Sequence, residues 1–224
     1  MQDGEALRLA DELHRQGALA DAERLYREVL ALEPANFEAL HRLAILAMQQ
    51  GQLDEALARV GTALRADPTA LKAHCNKGSI LLGLKRNDEA LACYEAALAI
   101  DPRNADAHYN RANALMLCER YGEAAESWER SATLRPGDVE PLERRAAALM
   151  RVNRNAEALV ALDQALGIAQ DRASLHLARG DVLLALGRRE AALASLDLAL
   201  ALEPQNAEAA SRRTGVLAAL GRPQ

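Results

Sequence analysis

The sequence predicts an all-α solenoid, and three observations predict it. Proline recurs every 34 residues at Pro34, Pro68, Pro102, Pro136 and Pro204. Alanine keeps the same step at Ala22, Ala56, Ala90, Ala124, Ala158 and Ala192. Half of the residues are apolar but only 3% are aromatic, a balance that favours thin helix contacts filled by Ala and Leu over a few large anchors. A self-similar unit of this length has too little apolar surface to fold alone and stacks on its neighbours. Gln170 stands in the one missed proline slot, and Ala158 still holds the register there.

With proline as the closing mark, six units run 3–36, 37–70, 71–104, 105–138, 139–172 and 173–206, and residues 207–220 repeat the first half of a unit. The expected organisation is one elongated domain ending in a capping helix. A chain cut short before a further repeat or a catalytic domain is the other reading of that end. Within the second unit Asn36 caps a first helix, A, whose Leu40, Leu43, Ala44 and Ala47 recur at three- and four-residue steps until Gly51 breaks the pattern. Asp54 and Glu55 then open a second helix, B, where carboxylates oppose the positive dipole end, and Ala56, Val60, Ala63 and Leu64 form its buried stripe.

Small residues recur where the two helices meet. Ala10, Ala44, Gly78, Ala112, Ala146 and Gly180 on helix A face the alanine series on helix B. Large residues fill the remaining gaps, at Leu13, Leu81, Leu115, Leu149 and Leu183 on A and at Tyr26, Tyr94, Trp128, Leu162 and Leu196 on B. Complementary sizes of this kind make a packed seam.

These features together resemble the tetratricopeptide repeat over nearly the whole chain. The tryptophan that often opens the motif is replaced by Ala6, Leu40, His74, His108, Leu142 and His176, so looser packing of the first helix is expected. The resemblance implies an α-solenoid of six tandem helix-turn-helix units with a right-handed superhelical path. The segments around Asn76-Lys77-Gly78 and His108-Tyr109-Asn110-Arg111-Ala112 are similar in particular to the arms of bacterial O-linked N-acetylglucosamine transferases.

The resemblance further implies a concave groove lined by the A helices, whose sixth positions read Arg8, Arg42, Asn76, Asn110, Arg144, Ala178 and Arg212. Guanidinium forks suit carboxylates and amides suit a peptide backbone, so an extended, acidic peptide is the expected partner. Asn113 adds an amide one turn beyond Asn110, and the candidate binding residues are Arg8, Arg42, Asn76, Asn110, Asn113 and Arg144. A second reading of the arginines stays open. Glu38, Glu140 and Glu208 precede Arg42, Arg144 and Arg212 by four residues, the orientation that supports a helix by about 0.2–0.5 kcal/mol per pair. The carboxylate clamp for chaperone tails is not matched, because its slots hold Cys75, Ser79, Asn110, Glu140 and Arg144.

Other function classes recede. A net charge of −5 and pI near 5.6 oppose an electrostatic grip on nucleic acid or anionic lipid. No uncharged run reaches the length of a signal peptide or a membrane span, and Cys75, Cys93 and Cys118 lack paired spacing, which together place the chain in a reducing cytoplasm. His74, His108 and His176 share one repeat position, and His41 and Cys75 share another, but successive helices stand roughly 8–10 Å apart, too far for tight joint ligation of a metal. Neither a nucleophile elbow nor a phosphate loop occurs, so no catalysis and no cofactor are expected, and the oligomeric state is not encoded in any of these patterns. The expectation is a scaffold that binds a protein or an extended peptide; the alternative is a substrate-presenting arm of a glycosyltransferase-like enzyme whose catalytic domain lies outside this chain. If the seam is read correctly, Ala90→Leu or Ala124→Leu lowers stability by about 1–3 kcal/mol in thermal melts through overpacking.

Overall fold

The computed structural model describes residues 2–222, and among them every regular element is a helix. The A helices are α1 (Gln2–Arg15), α3 (Phe37–Gln49), α5 (Leu71–Gly83), α7 (Ala105–Leu117), α9 (Glu140–Arg151), α11 (Ala173–Ala185) and α13 (Ala207–Ala219). The B helices alternate with them as α2 (Leu19–Leu32), α4 (Leu53–Ala66), α6 (Asn87–Ile100), α8 (Tyr121–Leu134), α10 (Asn155–Ile168) and α12 (Arg189–Leu202). They group into two compact units, Met1–Ala114 and Leu115–Gln224. No helix among the described residues is long and apolar enough to cross a membrane.

One device closes every A helix. A residue at positive φ stands at Gly17, Gly51, Lys85, Glu119, Asn153, Gly187 and Gly221, again 34 residues apart. The next N–H then reaches back five residues, as from Gln52 to the Ala47 carbonyl at 2.8 Å and from Arg188 to the Leu183 carbonyl at 2.8 Å. This is the Schellman closure, in which a left-handed residue lets late amides satisfy the orphan carbonyls. Glycine occupies the left-handed position only four times; Asn153 tolerates it, and Lys85 and Glu119 adopt it against their own preference.

A second device starts the next unit. Asp67 and Asp101 end their B helices in an extended conformation, near φ −135° and ψ 95°, as the residue before a proline must. Ala169 takes the same shape, φ −131° and ψ 82°, although Gln170 follows it. Packing therefore imposes the bend and proline only favours it. Asn36, Asn104 and Asn206 cap α3, α7 and α13 by accepting from the amide three residues on. His74, His108 and His176 tie the same corner together, since each Nε2 meets the carbonyl six residues earlier, on Pro68, Pro102 and Gln170, at 2.8–3.0 Å. The histidines thus hold the loop against the helix rather than leave a gap.

In the first unit the seam is formed by Ala10, Ala22 and Tyr26, and by Ala44, Ala56 and Val60, all fully buried. In the second, Ala158, Leu162, Ala192 and Leu196 are fully buried, with Ala146 nearly so. Leu13 is the one predicted filler that stays half-buried. Two seam positions are glycine and face a large side chain across the gap. A Cβ on Gly78 would lie 2.6 Å from Cζ of Tyr94, and one on Gly180 would lie 3.0 Å from Cγ and Cδ2 of Leu196. The tyrosine ring is fully buried and its hydroxyl lies 3.1 Å from Ser79 Oγ, so it has little room to retreat, whereas a leucine can change rotamer. Gly78→Ala is accordingly expected to lower stability by about 1–3 kcal/mol. Gly180→Ala should stay near neutral, because a helix-propensity gain of about 1 kcal/mol offsets the milder clash; parallel urea titrations of the two variants give the comparison.

Candidate functional site

The A helices of the first unit are joined side to side by polar contacts. His14 Nε2 meets Gln49 Oε1 at 2.8 Å, linking α1 to α3. Arg42 links the same two helices: its Nη2 lies 2.8 Å from Glu38 Oε1, and its buried Nε lies 3.1 Å from Asp11 Oδ1 at an angle too bent for a hydrogen bond. Asp11 also accepts the Tyr26 hydroxyl at 2.7 Å. Burial, then this bond and the Asp11 charge, push the Tyr26 phenol above its ordinary range. Next, the Asn76 amide nitrogen lies 2.9 Å from His41 Nε2, linking α5 to α3.

His41 is buried and stacked on Phe37, with ring centroids 5.4 Å apart. To accept from Asn76, its Nε2 must be bare and its proton must sit on Nδ1. Burial lowers its pKa below the ordinary 6.5, and Arg42 and Lys72 push in the same direction while Glu38 opposes them. The neutral, accepting ring is thus the form that the fold selects.

One step along, the same slot is different. Cys75 stands 34 residues after His41, and burial pushes its thiol up to about 11, so it stays protonated. A thiol is a weak acceptor. Asn110, the residue that would bond it, is half-buried and makes no side-chain hydrogen bond among the described residues. Asn113 is likewise half-buried and without a side-chain hydrogen bond among the described residues. These two amides lie three residues apart on α7, hence on one face.

The arginines of the row are engaged. Arg8 Nε donates to the Gly4 carbonyl at 3.2 Å. Arg144 places Nε and Nη2 at 2.9 and 2.8 Å from Glu140 Oε1. Arg212, in the second unit, lies 3.0 Å from Asp181 and 3.5 Å from Glu208, repeating the arrangement of Arg42. Within this row Arg8 alone is an arginine that meets no carboxylate among the described residues, and Lys72, four residues before Asn76 on α5, meets none either.

A second ladder escaped the sequence reading. Arg111, Arg145, Arg179 and Arg213 each pair with an acid sixteen residues earlier, Glu95, Glu129, Asp163 and Asp197, at 2.5–3.2 Å. Each bond fastens an A helix to the preceding B helix. The signal was present as opposite charges repeating every 34 residues, but at a separation that no single-helix rule inspects. Among the described residues no group of three or more His, Cys, Asp or Glu is placed to hold a metal.

The His41 arrangement has a pH consequence. Because its folded pKa lies below 6.5, the unfolded chain takes up the proton first as pH falls, and stability drops from about pH 6.5 downward. His41→Leu, the residue that Leu7 and Leu177 already supply at this position, should show a smaller loss between pH 7.5 and 5 in chemical denaturation. An identical loss in both proteins would contradict the buried neutral ring.

Sequence models described as tetratricopeptide repeat or TPR repeat match residues 13–75, 78–117, 105–138, 143–207 and 177–224, nearly the whole chain. No curated protein matches. Solved structures are similar at low identity: YrrB, described as a TPR protein with an unusual peptide-binding site, has 22% identity and a TM-score of 0.75 over 84% of this chain and 97% of its own. PilF of Pseudomonas aeruginosa has 18% identity and a TM-score of 0.73, over 95% and 97%. MamA has 22% identity and a TM-score of 0.70, over 77% and 94%. Identities this low speak for the fold alone. Helix pairs closed by a left-handed residue, seamed by small side chains and matched by these repeat models along its length, the chain belongs to the tetratricopeptide repeat family.

Proposed function

We propose that this protein is a non-catalytic scaffold that holds an extended segment of a partner protein along the A-helix face of its first unit. The observation that carries this reading is the pair Asn110 and Asn113, whose amides face one side of α7 and bond nothing among the described residues. An amide offers both a donor and an acceptor, the complement of a peptide unit. Asn76 stands in the same row, but His41 occupies its amide nitrogen, so it acts as a brace beside the site. Acidic side chains of the partner meet Arg8 and Lys72, while Arg42 and Arg144 are already neutralised by their own glutamates and contribute little selectivity. The peptide-binding description of YrrB, a structural relative, accords with this use of the fold.

A substrate-presenting arm of a glycosyltransferase is the second reading, favoured by the asparagines in register at 76 and 110. Coding sequence for a transferase domain beyond residue 224 would support it over a stand-alone scaffold.

The test is capture of the partner from the native lysate by the intact chain and by Asn110→Ala/Asn113→Ala. Loss of two hydrogen bonds at about 1 kcal/mol each weakens the captured complex by about tenfold or more. The melting temperature should not fall, since neither amide is bonded among the described residues and alanine is the better helix former. Equal retention by both proteins would contradict the site.

A further inference from the structure

A cavity of about 300 Å³ opens in the first unit between the starts of α3 and α5. Phe37, Ala70 and Leu71 give it apolar walls, and His41, Glu38, Arg42, Asp67 and Lys72 stand among them. Two of these residues have no counterpart in the array. Lys72 holds the second position of its repeat unit, where the others carry Gly4, Glu38, Asp106, Glu140, Ser174 and Glu208. His41 is the only histidine at the fifth position, which elsewhere holds Leu7, Cys75, Tyr109, Glu143, Leu177 and Ser211.

The His41 ring is held from two sides, by the stack on Phe37 and by the Asn76 nitrogen at Nε2. Its Nδ1–H is thereby fixed in direction, and it meets no acceptor among the described residues. Only 6% of the residue is exposed, yet Nδ1, unlike Arg42 Nε, is not cut off from the surface. A donor this buried and still unmade calls for an acceptor from outside. Across the cavity, Ala70 at the N-cap of α5 has no side chain to offer, and the Leu71 and Lys72 amides that follow find no acceptor among the described residues. They form the positive end of the helix dipole, and the Lys72 ammonium adds a full charge that meets no carboxylate among the described residues.

Charge narrows the occupant. The acids on the walls are engaged: Glu38 Oε1 lies 2.8 Å from Arg42 Nη2, and Asp67 Oδ1 accepts from the Thr69 N–H and hydroxyl at 2.9 and 2.7 Å. Their charges still repel a doubly charged phosphate more than a singly charged carboxylate. The apolar surfaces of Phe37, Ala70 and Leu71 suit the methylene stem of a side chain, which a free inorganic anion lacks.

We propose that this cavity receives the side-chain carboxylate of an aspartate or glutamate in the partner segment. The inference rests on the scaffold reading above and adds the place at which an acidic residue docks. His41 Nδ1–H and the first amides of α5 donate to the carboxylate, Lys72 balances its charge, and its stem packs against Phe37 and Leu71. Asn76 keeps its bond to Nε2. Because His41 and Lys72 both stand alone at their repeat positions, the site belongs to this pair of helices in particular.

The probe is N-acetylglutamate α-methylamide, whose one charge is on its side chain, titrated into the intact nitrogen-15-labelled protein while His41 Nδ1 and the Leu71 and Lys72 amides are followed. A saturable shift of all three is expected. Lys72→Gln should raise the midpoint by about tenfold through loss of one charge-assisted contact, and Lys72→Glu, which restores the acid of three sister units, should abolish binding. Lys72 is exposed, so both variants keep the parent melting temperature. Asn110→Ala/Asn113→Ala should bind the probe as the parent does, so a failure of those amides to hold a partner and a failure of this cavity are read separately. The absence of a saturable shift overturns the proposal, and equal binding of the uncharged N-acetylglutamine methylamide overturns the carboxylate. Tighter binding of N-acetylglutamine, whose charge is at the chain end, overturns the side chain in favour of a C-terminus. An unchanged midpoint in Lys72→Gln overturns the placement.

Discussion

Two helices can approach to near backbone contact only where one of them carries almost no side chain, and the whole molecule depends on that steric constraint. Where Gly78 faces Tyr94, a single added carbon would lie 2.6 Å from the ring. Alanine or glycine on helix A, alanine on helix B and one large residue over the gap recur from unit to unit. Each hairpin closes on itself by this interlock and presents an apolar back to the next, so stability accumulates from intrinsic and nearest-neighbour terms along the array.

Around the seam the fold uses contacts that act between neighbours. The Schellman closure turns A into B, the extended residue before the proline slot turns B into the next A, and the arginine ladder fastens that A helix to the B helix before it. Most of these ion pairs are half-exposed and contribute about 0–1 kcal/mol each, so their role is orientation more than strength. Arg145 is the exception in burial, with only 12% of its side chain exposed.

Much of this was legible in the residues because a period of 34 samples the same environment repeatedly. The asparagine cap at 36, the seam and the register across Gln170 all follow from that repetition, whereas the caps at 104 and 206 emerged only with the structure. What escaped depended on lateral geometry. The bond from Asn76 to His41 joins residues 35 apart on different helices, and no pattern within one helix contains it. The left-handed turns at Lys85, Glu119 and Asn153 carried no glycine to announce them. That Glu38 and Glu140 do reach Arg42 and Arg144, one of the two readings of the row arginines, is seen only in the folded chain.

The functional account rests on a contrast between amides that the protein has used and amides that it has left available. Cys75 stands where His41 would have claimed Asn110, and the proposed scaffold uses the amide that is thereby left without a side-chain bond among the described residues. The most direct measurement follows the side-chain NH2 resonances of Asn76, Asn110 and Asn113 in the protein before and after it is loaded with its captured partner. The account predicts that the Asn110 and Asn113 signals shift and become slow to exchange while those of Asn76 stay in place. A bound partner that leaves Asn110 and Asn113 unmoved would contradict it.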